Sequence, residues 1–526
     1  MAKRALSPVS VPDTMTARND FLQSLFEYVP AMIAADDWRV RAAACEAIGA
    51  ISLATKDAVV DKLGEVLQLI SQLMTDPHMR VLFAVADAVG NVAEVFDADL
   101  TTPDRQKCFE MLKYLLVTAS ADRVVEHAAQ ALVPLIDASE EADLMPYLEE
   151  TVKALVGLLQ NRPLYVQQQA LRTLASLALT ANRAFRPFYD QLMPELLNML
   201  STPVDKDRRM LKAVGIECAA FIGTAAGKQV FKRDAARLAQ IMADIQQSIT
   251  DDDDPQSSYL TSTWSFIADA LGDEFEPWMP LVMGRMLAGA RQAVQIKAYQ
   301  DGTEEVASGW EVIDDQYLLN TSALEDRLTH VQQLDQICVH LGSRLMAGHL
   351  DEVAQCCIEN LQFKLDESVR EAAAGLIPTL TKHAKAVQRP AVLESVLTMI
   401  PDVILREETM TVLSTLYDKL HESIEILGPP LSLPPVFLQR LTQATHFHLS
   451  AIGEQRVMRK EMMEAAAGDG DDGPVEESEL EYERGKEEEE DEVMDSMGRV
   501  LYAIDSGHTL LFTIGGLKEL GLDSGV

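Results

Sequence analysis

One pattern recurs along this chain and limits what it can fold into. A turn residue, usually Asp, is followed by a helix-length run whose apolar residues return at every third and fourth position. Asp37 introduces WRVRAAACEAIG, Asp76 introduces PHMRVLFAVADAVG, Asp122 introduces RVVEHAAQALVPL, and Arg162 precedes PLYVQQQALRTLASLA. Asp205 introduces KDRRMLKAVGIECAAFIG and Asp366 introduces ESVREAAAGLIPTL. In the first run Val40, Ala44, Ala47, Ile48 and Ile51 share one stripe, the spacing of a helix that buries one face. The introducing residues lie 39, 46, 40 and 43 positions apart from Asp37 through Asp205.

Each run is preceded by another with a different accent: VVDKLGEVLQLISQLM, DRQKCFEMLKYLLVTA, LMPYLEETVKALVGLL and FRPFYDQLMPELLNML, in which Pro146 and Pro194 mark bends. Two helices at a period near 40 are the grammar of the HEAT repeat. The expected fold is all-α, an α-solenoid in which stacked HEAT repeats form a superhelix with the second, or B, helices on its concave side. The turn Asp is placed to cap its B-helix. The Arg four positions on, at 41, 80 and 370, is placed to reach the acid of a neighbouring turn, a ladder that fixes the stacking.

Domain boundaries follow from breaks in the pattern. Residues 1–20 are polar, contain Pro8 and Pro12, and are expected to form a disordered leader. The repeat array spans 21–467. It is interrupted near 301–317 by DGTEEVASGWEVIDDQY, an acidic, glycine-containing insertion whose Trp310, Val312 and Ile313 suggest that it folds back on the array. Residues 468–494 are expected to be an acidic low-complexity loop. From Asp469 to Glu492 it holds fourteen carboxylates against Arg484 and Lys486, and such a run repels itself. Residues 495–526 read as the helical remainder of a truncated array.

The formal net charge of −37 disfavours nucleic acid and anionic membrane as partners and favours basic polypeptides. Six cysteines show no CxxC spacing, which suits reduced thiols, and no apolar run reaches the roughly 18 residues of a membrane span. Catalytic and cofactor signatures are missing, so neither enzyme nor cofactor is expected. Gly223-Thr-Ala-Ala-Gly227-Lys228-Gln229 is one residue short of a phosphate loop, with Gln where Ser or Thr should be, and reads as a helix-ending glycine turn. His446 and His448 alternate on a helix and point apart, and Asp251 to Asp254 lack the ligand spacing of an EF-hand, so no metal site is expected.

The stretch DDDDPQSSYLTSTWSFIADALGDEFEPWMPLVM, Asp251 to Met283, reads as an acidic turn, a B-helix and the next A-helix. Asp251, Asp252, Asp253 and Asp254 are expected in solvent, because four adjacent carboxylates are costly to bury unpaired. Trp264, a turn or two beyond them, is either a core residue or a plate for the stem of a basic side chain.

In order and spacing, GIECAAFIGTAAGKQVF, DDDDPQSSYLTSTWSFIADALGDEFEPWMPLVMGRM, SGWEVIDD, NTSALEDR and DESVREAAAGLIPTL resemble the middle of karyopherin-β nuclear import receptors, in particular the importin-five or beta-three branch. The resemblance runs from about Trp38 to the acidic run. It implies a receptor, shuttling between cytoplasm and nucleus, that wraps basic, lysine-rich cargo signals on an acidic concave surface, docks on FG nucleoporins and releases cargo to Ran-GTP. Family members are longer, and the N-terminal repeats that carry their main Ran-binding surface have no counterpart before Trp38, so the Ran response is not part of the expectation. The chain reads as a fragment, an incomplete gene product or a shortened, monomeric relative. The candidate cargo contacts are Glu217, Asp251, Asp252, Asp253, Asp254, Trp264, Trp310, Glu311, Asp314 and Asp315. The competing reading is a HEAT scaffold of the phosphatase-regulatory kind, working through its turn ridges without transport.

Overall fold

The computed structural model describes residues 28–54, 59–203, 205–250, 254–299, 306, 308–313, 316–428, 433, 435–468 and 477–507. The expected leader, residues 1–20, and the last part of the chain, 508–526, lie outside them. The chain divides into two compact units, Met1–Leu271 and Gly272–Val526.

In the first unit the main helices are α1 (Trp38–Ala54), α2 (Leu63–Ser71), α3 (Met79–Val95), α4 (Thr102–Thr118), α5 (Asp122–Asp137), α6 (Leu148–Leu158), α7 (Leu164–Ala181), α8 (Arg186–Ser201), α9 (Arg209–Ala226), α10 (Lys228–Ser248) and α11 (Gln256–Leu271). The odd-numbered helices are the expected B-helices, and each packs on the next to form one row. Along the other row α2 packs on α4, α4 on α6, and α8 on α10. Neither row could bury its apolar stripe alone, so stacking supplies the core. Small residues set the spacing. In α3, Val81, Ala84, Val85, Ala88, Val89 and Val92 are all buried, and a Cβ added to Gly90 would meet the Ala131 Cβ at 3.0 Å.

The expected ladder is present, with variations. Arg41 donates through Nε and Nη2 to the Asp76 carboxylate at 2.6 and 3.1 Å, while its Nη1 satisfies the carbonyls of Ala35 and Asp36. Arg209 reaches Asp254 at 2.7 Å. Arg370 grips Glu407 at 2.8 and 2.9 Å, a Glu where an Asp was expected. Asp122 takes its hydrogen bond from Arg162 at 2.6 Å, so that rung is built from the following turn and not from Arg80.

In the second unit, α12 (Met279–Gly289) leads into three short strands: β1 (Ile296–Ala298), β2 (Trp310–Ile313) and β3 (Tyr317–Asn320). They form an antiparallel sheet in the order β1-β3-β2, with Lys297 opposite Leu318 and Leu318 opposite Val312. Helices α13 (Thr321–His340), α14 (Leu350–Leu361), α15 (Glu367–Ala386), α16 (Pro390–Arg406), α17 (Met410–Leu427), α18 (Pro435–Gly468) and α19 (Glu477–Gly507) follow. Here α13, α15, α17 and α19 make the B row, with α14, α16 and α18 stacked beside it.

Two expectations about the second unit change. The insertion, expected to be irregular, contributes β2 to a small sheet with the flanking β1 and β3: Trp310 and Val312 of β2 are half-buried while Glu311 and Ile313 are exposed, and Gly309, at φ +81°, turns the chain into β2. Its residues 301–305, 307, 314 and 315 lie outside the described residues. The acidic run, expected to be a loop over 468–494, is helical from Glu477 onward, with 469–476 undescribed. Val493, Met497, Val500 and Ile504 are buried, which makes α19 the B-helix of a complete pair with α18.

All six cysteines are free and buried. Burial pushes the thiols of Cys45 and Cys108 up to about 12 and that of Cys356 up to about 11. Among the described residues no helix is long and apolar enough to cross a membrane, and no group of His, Cys, Asp and Glu could hold a metal ion.

Candidate binding surface

The sequence offered one acidic cluster in the first unit, and the structure divides it. Asp251, Asp252 and Asp253 lie outside the described residues. Asp254 is not solvated as expected: its side chain is 2% exposed, held by Arg209, and Oδ1 accepts the Gln256 N–H at 2.9 Å. It is the capping acid of α11 and a ladder rung, and both roles need it inside. Trp264 is also withdrawn. Its ring is fully buried and its indole N–H donates to Gln246 Oε1 on α10 at 2.9 Å. Of the two readings offered for this residue, the core one holds, so the expectation of Asp254 and Trp264 as surface contacts is corrected.

Glu217 remains. It sits on α9, half-buried, and burial pushes its carboxyl above the usual range while the Arg172 guanidinium pulls it partly back. Arg172, on α7, extends past α9 to donate to the Tyr259 hydroxyl on α11 at 3.2 Å. Three successive B-helices thus meet through Arg172, Glu217 and Tyr259. Sequence reasoning missed Arg172 and Tyr259. The available signal was a single cation in the otherwise uncharged run QQQALRTLASLA.

Other partly exposed groups lie on the same row. Asp87 on α3 accepts from His127 Nε2 at 3.1 Å with its side chain 39% exposed, and Asp269 on α11 accepts from Lys228 Nζ at 3.2 Å with 44% exposed. Phe83 stacks on His127 with centroids 4.1 Å apart, and Phe221 meets Phe266 edge-on at 5.0 Å, so rings join neighbouring B-helices between the acids. This face offers carboxylates for cations and aromatic surface for the stems that carry them.

In the second unit Trp310 is half-buried and carries the ammonium of Lys297 over its ring, 4.0 Å from the centroid. Glu311, one position on, is exposed on the opposite face of the sheet. Asp314 and Asp315 lie outside the described residues.

The glycines that resembled a phosphate loop have packing and turn roles. A Cβ on Gly223 would fall 2.4 Å from the Phe231 ring, and Gly227 at φ +91° makes the corner between α9 and α10.

No family model matches the chain. Over 364 residues it is 32% identical to importin subunit beta-3 of Saccharomyces cerevisiae, a span of 68% of this chain and 33% of that protein. The chain belongs to the karyopherin-β family. This karyopherin-β is also 23% identical over 239 residues to a probable importin-5 homolog of Dictyostelium discoideum, covering 45% of the chain and 21% of that protein. Its fold matches Kap121p bound to Ste12p with a TM-score of 0.77 at 26% identity, over 95% of this chain and 46% of the other. Kap121p bound to Nup53p matches with a TM-score of 0.76 at 25% identity, over 97% and 49%. The karyopherin-β chain therefore spans about a third of the yeast relative and about half of the Kap121p chains. The expected α-solenoid of HEAT repeats and the expected branch are both found.

Proposed function

We propose that this chain is the cargo-binding part of a nuclear import receptor. The observation that supports it is its relationship to importin subunit beta-3 and to Kap121p, whose solved structures include complexes with other proteins. The acidic, ring-studded B row of the first unit suits basic, lysine-rich import signals, with Glu217 as the central carboxylate and Asp251, Asp252 and Asp253, which precede α11 in the chain, as further contacts. Trp310, Glu311, Asp314 and Asp315 form a second candidate contact in the other unit. On this reading the protein carries out no covalent chemistry. It shuttles between cytoplasm and nucleus, and its further partners are FG nucleoporins.

Titrating the full chain with a lysine-rich import peptide tests the reading. Binding is expected to weaken several-fold from low to high salt and to weaken again in a Glu217→Gln, Asp269→Asn variant. Salt-insensitive binding, or none at low salt, overturns it.

A further inference from the structure

Helices α18 and α19, at 34 and 31 residues, are much longer than their 17- to 20-residue counterparts α16, α17 and α15. A 34-residue helix runs about 51 Å, so the pair has a part that neighbouring repeats do not match in length. In α19 the change is abrupt. From Val493 onward every third or fourth residue is buried against the row, through Met497, Val500 and Ile504. Between Glu483 and Glu492 not one residue is apolar.

This acidic arm has poor helical credentials of its own. Gly485 weakens it, and Glu487 with Asp491 and Glu488 with Glu492 set like charges one turn apart. What docks it is ionic. Glu490 is 2% exposed and accepts from Arg456 Nε at 2.8 Å and from Arg459 Nη2 at 2.5 Å. Arg456 Nη2 also donates to Asp491 Oδ1 at 2.7 Å and reaches the Glu487 carbonyl at 3.4 Å, while Arg459 Nε stands 3.7 Å from Glu483 Oε2. Arg456 and Arg459 lie three positions apart on α18 and so share one face. The flanking Val457 and Met458 are 57% and 64% exposed and contribute no apolar anchor.

We infer that Glu483–Glu492 is an ionic latch: Arg456 and Arg459 hold it helical against α18, it opens as a unit while Val493–Ile504 stays packed, and a polycation opens it by competing for the same carboxylates. The two arginines occupy the place that an external cation would need, so binding there and closure of the latch exclude each other. Charge screening acts on the latch and leaves the apolar part of the same helix in place.

Hydrogen exchange on the full chain tests this, read segment by segment along α19. In the Arg456→Gln, Arg459→Gln variant, exchange over 483–492 is expected to rise roughly tenfold or more while 493–504 keeps its protection, and high salt should do the same to the unaltered chain. A lysine homopolymer at low salt should also deprotect 483–492. Unchanged protection of the arm in the variant overturns the latch, as does loss of 493–504 together with the arm. The milder Glu490→Gln variant gives the same reading should the double variant disturb α18. Unchanged or increased protection with the lysine homopolymer overturns the competition.

Discussion

Arg209 donates to Asp254 across 2.7 Å and joins two turns 45 residues apart. The acid that stood out most clearly as a surface group is thus enclosed, with Arg209 itself 29% exposed. Truncating either partner leaves the other half-desolvated and unpaired. Asp254→Ala or Arg209→Met is expected to cost about 2–3 kcal/mol, less than a fully buried pair because the guanidinium reaches solvent. Chemical denaturation checks the cost, and the affinity of the folded variants for a lysine-rich peptide should be unchanged.

Asp76 carries the pH dependence of the first rung. Burial raises its carboxyl pKa, but the hydrogen bond from Arg41, the His78 N–H and the Arg41 charge together bring it below the ordinary value. A depressed carboxylate stabilises the fold above the unfolded pKa of about 3.9 and loses that contribution as pH falls through the folded value. Asp76→Asn should therefore be less stable than the parent near neutrality, and the gap should close in strong acid. Parallel urea titrations across that range would show it.

His383 gives the second unit a dependence in a different window. Its Nε2 donates to the Cys338 carbonyl at 2.8 Å and its Nδ1 faces the Ser343 hydroxyl at 2.8 Å, an arrangement that suits the neutral ring. Burial depresses its pKa, against a smaller pull from that carbonyl, and burial likewise depresses that of His448, which bonds Ile404 O at 2.7 Å. Both stabilise the fold above about 6.5 and lose that contribution as pH falls toward the folded values. Unfolding of unit two should become easier below neutrality, with a shallower slope in His383→Gln. Equal slopes for parent and variant would refute the assignment.

Gly223→Ala should destabilise the chain by about 1–3 kcal/mol, because its Cβ would overlap the buried Phe231 ring across the α9–α10 corner. Nucleotide should neither protect the parent nor rescue the variant. A thermal shift with and without nucleotide reads both.

The period of about 40 made the helix rows and the ladder legible, because both depend on local pattern plus one side-chain reach. The sheet escaped, since strands of three and four residues inside an acidic segment carry too little pattern to separate from a loop. The helical arm of α19 escaped for another reason. Its order comes from Arg456 and Arg459, more than twenty residues earlier, and composition alone argued for repulsion. Site residues fared worst. Whether an acid or a Trp faces solvent depends on its neighbours in the stack: Asp254 and Trp264 turned inward, whereas Glu217 stayed half-buried within reach of the Arg172 charge.

The burial of all six cysteines has a practical consequence. A thiol reacts as its thiolate, and with pKa values raised well above neutrality these side chains present almost none of it to solvent. The unaltered sequence is therefore a quiet background for chemistry at an added cysteine. A single Glu488→Cys on the exposed side of α19 would be labelled by maleimide far ahead of the native thiols. One dye there and a second at a chosen partner position would let single molecules report distances along the array without first rebuilding its core.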